Sequence, residues 1–265
     1  MENKKGPKIL LLDIETAPIL ASVWSIWNVD VPLNMIEKDW HLLAVCCKWL
    51  DDPASKAMYY DQRNAKNIED DTKLLQFVHN LLDECDVVVT QNGKAFDIKK
   101  LNARFITKGL SKPSRFEHID TKKIASRNFA FTSNKLEYLA DVLNLPKRKS
   151  KHKNFPGFSL WQECLKGNKK AWDEMKHYNI QDVLVLEDLY KKFRSWDNDG
   201  VNVGAYYEDT EVRCSSCGGT HLVKDGIKAL KNGKYQRYQC KSCGTKVRGT
   251  INLLLKEHKP KTKQL

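Results

Sequence analysis

Two short apolar runs, each closed by polar residues, constrain the fold more than any other feature of this chain. Lys8-Ile-Leu-Leu-Leu-Asp13 and Asp86-Val-Val-Val-Thr-Gln-Asn92 are continuously hydrophobic, as central strands buried on both faces are. A third run, His41 to Leu50, is rich in β-formers. Residues Lys56 to Tyr60 are placed to pair beside it after the Asp51-Asp-Pro turn. Between these runs the period changes. From Asp70 to Cys85, Leu74, Leu75, Val78, Leu81 and Leu82 follow helical spacing behind acids expected in the first turn, and a second helical pattern runs through Leu101 and Phe105. Alternation of strand and helix predicts an α/β domain.

Downstream, Glu117 to Thr121 reads as a short strand end. Asn134-x-x-Glu137 reads as a capping box opening a helix with Leu136, Leu139, Ala140 and Leu143 inward, ended by Pro146. A last long helix is expected from about Lys170 to Phe193, burying Trp172, Met175, Val183, Leu186, Leu189 and Phe193. Asp197-Asn-Asp-Gly200 marks a domain boundary.

Composition narrows the class. Across 265 residues, 41% hydrophobic and 29% charged content excludes wholesale disorder, and no apolar run approaches the roughly 20 residues of a membrane span. The N-terminal residues contain no signal-peptide core, so a cytoplasmic setting is expected. Of the +12 net charge, +8 falls from Val201 onward, which points to a polyanionic partner, nucleic acid foremost, with a merely solubilising surface as the alternative.

Asp13 and Glu15 lie two apart, so their carboxylates leave one face of the first strand at its polar end. Such a pair repels unless a cation or proton resolves it, although D-x-E also occurs as plain turn chemistry. Asp97 follows the second apolar run in Asn92-Gly-Lys-Ala-Phe-Asp97, where it serves either the site or the helix cap. Tyr178 and Asp182 share one face of the final helix, as catalytic groups or as a packed core tyrosine beside a paired acid. Convergence of four acids at one sheet edge would offer hard oxygen ligands suited to Mg²⁺ or Mn²⁺. Two such ions support phosphodiester hydrolysis.

At these residues the chain resembles the tyrosine-bearing subclass of the DEDD 3'-to-5' exonucleases, which have a ribonuclease-H-like mixed β-sheet flanked by helices. Leu11-Leu-Asp13-Ile-Glu15-Thr16, Asn92-Gly-Lys-Ala-Phe96-Asp97 and Tyr178-Asn-Ile-Gln-Asp182 resemble its three motifs in family order over roughly residues 8 to 193. The resemblance implies that Asp13, Glu15, Asp97 and Asp182 ligate two Mg²⁺ or Mn²⁺ ions and that Tyr178 orients the attacking water. It gives Asn92 a bracing or nucleotide-contacting role and makes Asp120 a secondary acid of unassigned role. The expected activity is release of nucleoside 5'-monophosphates from single-stranded or frayed 3' ends, with DNA favoured over RNA. A role in replication or repair would need a separate polymerase. The alternatives are a structure-specific endonuclease or exoribonuclease on the same fold, and a binding or recruiting protein with a relic metal site.

Trp24, Trp27 and Trp40 lie in a long connection where family members stack the terminal base. The i,i+3 spacing of Trp24 and Trp27 favours core packing over a stacking platform. Lys147-Arg148-Lys149 opens a basic loop to Lys153, which either tracks phosphates or is simply solvated.

Eight cysteines divide into two sets. Cys46, Cys47, Cys85 and Cys164 sit in apolar stretches and are expected as buried thiols. Cys214-x-x-Cys217 and Cys240-x-x-Cys243, each followed by Gly, have zinc-ligand spacing, and Lys231-Asn-Gly233 between them signals a hairpin turn. One closed, structural Zn²⁺ is expected. This segment resembles the zinc ribbons of insertion-element transposases, which bind nucleic acid. Arg237, Lys241, Lys246 and Arg248, with Tyr235 and Tyr238 interleaved, are the candidate phosphate and stacking contacts, and protein docking is the alternative. The expected organisation is a nuclease domain over 1–198, a ribbon over 199–255 and a disordered basic tail over 256–265.

Overall fold

The computed structural model describes residues 6–148, 154–231 and 233–254. Lys149, the rest of the basic segment to residue 153 and the expected tail at 256–265 lie outside the described residues. Two compact units form, Lys8–Tyr190 and a second made of Lys191 onward with the residues before Lys8. The division falls before the Asp197-Gly200 turn, because the long helix itself crosses it.

In the first unit, β1 (Ile9–Thr16), β2 (Leu20–Ala21), β3 (Ile36–Lys38), β4 (Leu42–Trp49) and β5 (Met58–Asp61) precede helix α1 (Thr72–Glu84). Strand β6 (Val87–Thr90), helix α2 (Asp97–Thr107) and strand β7 (Glu117–Asp120) follow, then helices α3 (Thr121–Asn128), α4 (Leu136–Val142), α5 (Ser159–Leu165) and α6 (Lys169–Phe193). The main sheet has the order β5-β4-β1-β6-β7. β1 is antiparallel to β4 and parallel to β6, and β6 is parallel to β7, so the sheet is mixed.

Side-chain alternation along β1 divides the core in two. Leu10, Leu12 and Ile14 pack with Leu74, Leu75, Val78, Leu82, Leu101 and Phe105 beneath α1 and α2. On the other face Leu43 and Ala44 meet Leu160, Cys164, Trp172, Met175 and Tyr178 from α5 and α6. Odd-numbered residues of β1, including Asp13 and Glu15, therefore face α5 and α6. The four isolated cysteines are buried as expected, and burial pushes their thiols up.

Three local expectations fail for physical reasons. The capping box does not form: α4 opens after Lys135 with no side-chain cap, and the Ser133 hydroxyl accepts the Lys135 N–H. No acid lies in the first turn of α1. Asp70 and Asp71 precede it, and Asp71 is drawn inward to accept from Arg104 (Nη2, 2.6 Å) and from the Leu42 N–H (2.9 Å). Trp24 and Trp27 are 97% and 79% exposed rather than in the core. They stand on the excursion between β2 and β3.

Lys48 and Glu187 form a buried ion pair. Lys48 on β4 is 0% exposed and meets Glu187 of α6 at 2.9 Å, while its ammonium also donates to the carbonyls of Trp49 and Asp52. Glu187 in turn accepts the Asp51 N–H at 3.0 Å, fixing the left-handed turn at Asp51. Breaking such a pair strands a buried charge. Lys48→Met is expected to cost about 3–5 kcal/mol in urea unfolding, and Glu187→Leu in the same chain to return part of that loss.

In the second unit β8 (Leu222–Leu230), β9 (Gly233–Cys240) and β10 (Lys246–Arg248) form an antiparallel sheet in the order β10-β9-β8. Leu230 pairs with Gly233, the tight hairpin that the Lys-Asn-Gly signal predicts. Among the described residues no helix is long and apolar enough to cross a membrane.

Candidate active site and cysteine centre

β1 and β6 pair from Ile9–Val87 to Leu11–Val89 and no further. Beyond Leu11, β1 continues beside β4 alone, while the β6 chain turns away at Asn92, which adopts a left-handed φ of 70°. A crevice opens at the carboxyl ends of these parallel strands, the usual ligand position in such sheets. Asp97, the first residue of α2, reaches into the gap, and its Oδ1 accepts the Ile14 N–H at 3.2 Å where β6 no longer offers a carbonyl. It therefore bridges two elements and does not cap its own helix.

From the opposite side α6 supplies Tyr178, Asn179 and Asp182. Asn179 is fully buried and donates from Nδ2 to Asp13 Oδ2 at 2.5 Å. Trp161 of α5 donates from Nε1 to Glu15 Oε2 at 3.1 Å, and its ring meets that of Tyr178 edge-on at 6.1 Å. A cleft of about 380 Å³ is lined by Asp13, Glu15, Asp97, Tyr178 and Asp182 together with Gln91, Asn92, Phe96, Lys122, Asn134 and Lys135.

Negative charge accumulates there. Asp97 is 3% exposed, and burial, reinforced by the neighbouring Asp120 carboxylate, pushes its carboxyl up to about 7. Burial, then Asp182, Glu15 and Asp13, drive the Tyr178 phenol well above its ordinary range, so it stays protonated. The carboxylates face one space without crowding: among the described residues only the cysteine set brings three or more ligand atoms within 4.8 Å of one another. Asp13 and Glu15 are instead turned toward Asn179 and Trp161. A pair of ions 3.5–4 Å apart draws on donors spread more widely than one ion's shell, and hard oxygens suit divalent cations.

Lys147 and Arg148 do not line the cleft. Lys147 meets Asp188 at 3.2 Å, and Arg148 donates to the carbonyls of Ala140 and Leu145, closing the end of α4. In the second unit Arg237 meets Asp225 at 3.0 Å, and Lys241 donates to Gln239 at 3.3 Å. Arg248 lies over the Tyr235 ring at 4.6 Å.

Asp120 is the hub of the turn beside the site. Its Oδ1 accepts the N–H groups of Asn92 (2.9 Å), Lys122 (3.0 Å) and Lys123 (3.4 Å), and Oδ2 accepts that of Lys94 (3.1 Å). Neither Asn179, Trp161 nor Lys122 is singled out by the sequence pattern. Only Asn179 leaves a trace there, as an amide on an otherwise apolar helical face.

The cysteine centre consists of two matching knuckles. Gly218 donates to the Cys214 carbonyl (2.8 Å) and Gly244 to that of Cys240 (2.9 Å), and both glycines are left-handed, at φ 73° and 80°. An L side chain would resist that conformation. Cys214 and Cys243 sulfurs stand 3.6 Å apart, and those of Cys217 and Cys240 3.7 Å. A tetrahedron of four sulfurs around zinc at 2.3 Å has edges of about 3.8 Å, so the set fits zinc.

A family model described as the RNase H superfamily matches residues 39–194. The chain belongs to the RNase H superfamily. The matched span includes Asp97, Tyr178 and Asp182 and begins after β1. The chain is also similar to the family B DNA polymerase from the hyperthermophilic archaeon Pyrobaculum calidifontis, at 14% identity and a TM-score of 0.49 over 75% of this chain. It spans only 26% of that polymerase. Comparison with curated proteins gives no match.

Asp97 carries a testable cost. Its carboxyl ionises near 3.8 when unfolded and near 7 when folded, so the native state loses stability as pH rises between these values. Asp97→Asn keeps an acceptor for Ile14 and removes that cost. In thermal unfolding without divalent cations the variant is expected to gain about 1 kcal/mol or more above pH 7, with the gain fading toward pH 4.

Proposed function

We propose that this chain is a nuclease, specifically a 3'-to-5' exonuclease releasing nucleoside 5'-monophosphates, with single-stranded or frayed DNA ends as its preferred substrate. The observation that carries the reading is that Asp13, Glu15, Asp97, Tyr178 and Asp182, from three separate elements, line one cleft. Two divalent cations, Mg²⁺ or Mn²⁺, held by Asp13, Glu15, Asp97 and Asp182, would supply the charge that activates water and steadies the entering and leaving oxygens.

The chain's own groups do the positioning. Asn179 fixes one oxygen of Asp13 and Trp161 one of Glu15, so both carboxylates are held in place where they line the cleft. Tyr178 keeps its proton, which suits it to hold the attacking water by hydrogen bonding and unsuits it as the base. The cysteine centre would hold one structural Zn²⁺. The domain after residue 198 would then act as a ribbon whose tethered second contact raises the local concentration of substrate at the cleft.

Asp13→Ala and Asp182→Ala are expected to lower hydrolysis of an end-labelled oligonucleotide by at least ~10³-fold while binding persists. Products one nucleotide long support the exonuclease. Cleavage of end-blocked circles would point instead to an endonuclease on the same scaffold, and faster cleavage of RNA would reassign the substrate.

Truncation after Trp196 tests the ribbon. Hydrolysis of short oligonucleotides is expected to continue, with weaker binding and a shallower dependence of log K on log salt. Equal affinity and slope in the full and truncated chains would assign the ribbon to protein docking.

A further inference from the structure

Five acidic residues, Asp13, Glu15, Asp97, Glu137 and Asp182, line the cleft and make it hostile to a polyanion, and the substrate's backbone must nevertheless come within reach of them. Cations that line the same space are therefore more than surface charge. Lys122, in the first turn of α3, lines the cleft and places Nζ 3.2 Å from Asn92 Oδ1. That contact orients both partners. With its carbonyl oxygen turned to the ammonium, the Asn92 amide presents its NH₂ group elsewhere, and the ammonium keeps two of its three N–H donors.

The two side chains come from elements 30 residues apart, and one carboxylate sets both backbones. Asp120 Oδ1 accepts the N–H of Asn92 and the N–H of Lys122, and Oδ2 accepts that of Lys94. The first bond stabilises the left-handed turn at Asn92. Asp120 is itself 3% exposed and sits where β7 pairs with β6, Thr90 opposite Asp120. Four backbone N–H groups bind it, which gives this acid a structural place beside the site.

Resting on the exonuclease reading, we infer that Lys122 and Asn92 form a phosphate subsite within the cleft. It takes a non-bridging oxygen of a phosphodiester in the bound strand, with Asp120 as its positioning residue. The ammonium and amide give charge-assisted donors to one phosphate, and neither reads a base.

Because Lys122 is exposed, Lys122→Ala is expected to fold with an unchanged thermal midpoint. Binding of a single-stranded oligonucleotide, measured in EDTA so that no hydrolysis occurs, should weaken about 5–10-fold in that variant. The slope of log K against log salt should fall by about 0.7, one phosphate contact on a single strand. Lys122→Arg should restore both. With oligonucleotides carrying one uncharged methylphosphonate near the 3' end, one position should weaken the wild-type chain by a similar factor and leave Lys122→Ala unaffected.

Asp120→Asn should lose the same positional discrimination. Wild-type affinity and slope in Lys122→Ala, or an equal loss in both chains at every methylphosphonate position, overturns the subsite while leaving the exonuclease standing. A wild-type chain that neither binds nor cleaves single strands overturns both readings.

Discussion

Strands β1 and β6 run side by side only as far as Leu11 and Val89, and the chemistry of this protein depends on what fills the gap beyond them. A sheet interrupted in this way leaves backbone donors without carbonyl partners, and buried donors must be satisfied. Asp97 answers that demand at Ile14. The same carboxylate is thereby held beside Asp13 and Glu15, which the alternation of β1 directs toward α6. Backbone hydrogen bonding and charge assembly are one event here. The cost is a buried acid beside Asp120, which raises its carboxyl toward neutrality.

Much of this architecture is legible in the residues. The β1 and β6 strands announce themselves as continuous apolar runs, since strands covered on both faces need no polar alternation. Helix α6 is readable because its buried side chains keep the helical period over seven turns. The cysteine knuckles are readable because metal geometry fixes both the two-residue gap and the glycine that follows.

What is not legible depends on partners remote in sequence. Asn134 and Glu137 satisfy the local pattern of a capping box, but α4 starts one residue later, after Lys135, with no side-chain cap. Asp71 reads as a first-turn acid, whereas a bidentate guanidinium from α2 draws it inside. Trp161 carries no local sign that its ring nitrogen will find Glu15, 146 residues earlier. Such pairings are set by how helices lie on the sheet, and no window of neighbouring residues contains that information.

The excursion between β2 and β3 has a further physical consequence. Val23, Trp24, Ile26, Trp27 and Leu33 are all exposed there, and Asp30 is the only charge from Ser22 to Met35. So greasy a protrusion would draw molecules together, and the +12 balance of the whole chain opposes that by mutual repulsion. The repulsion reaches about 10 Å at 0.1 M ionic strength and about 3 Å at 1 M. Colloidal dispersal of this protein is therefore an electrostatic property, and concentrated salt, which also strengthens apolar contact when the anion is sulfate or phosphate, works against it twice.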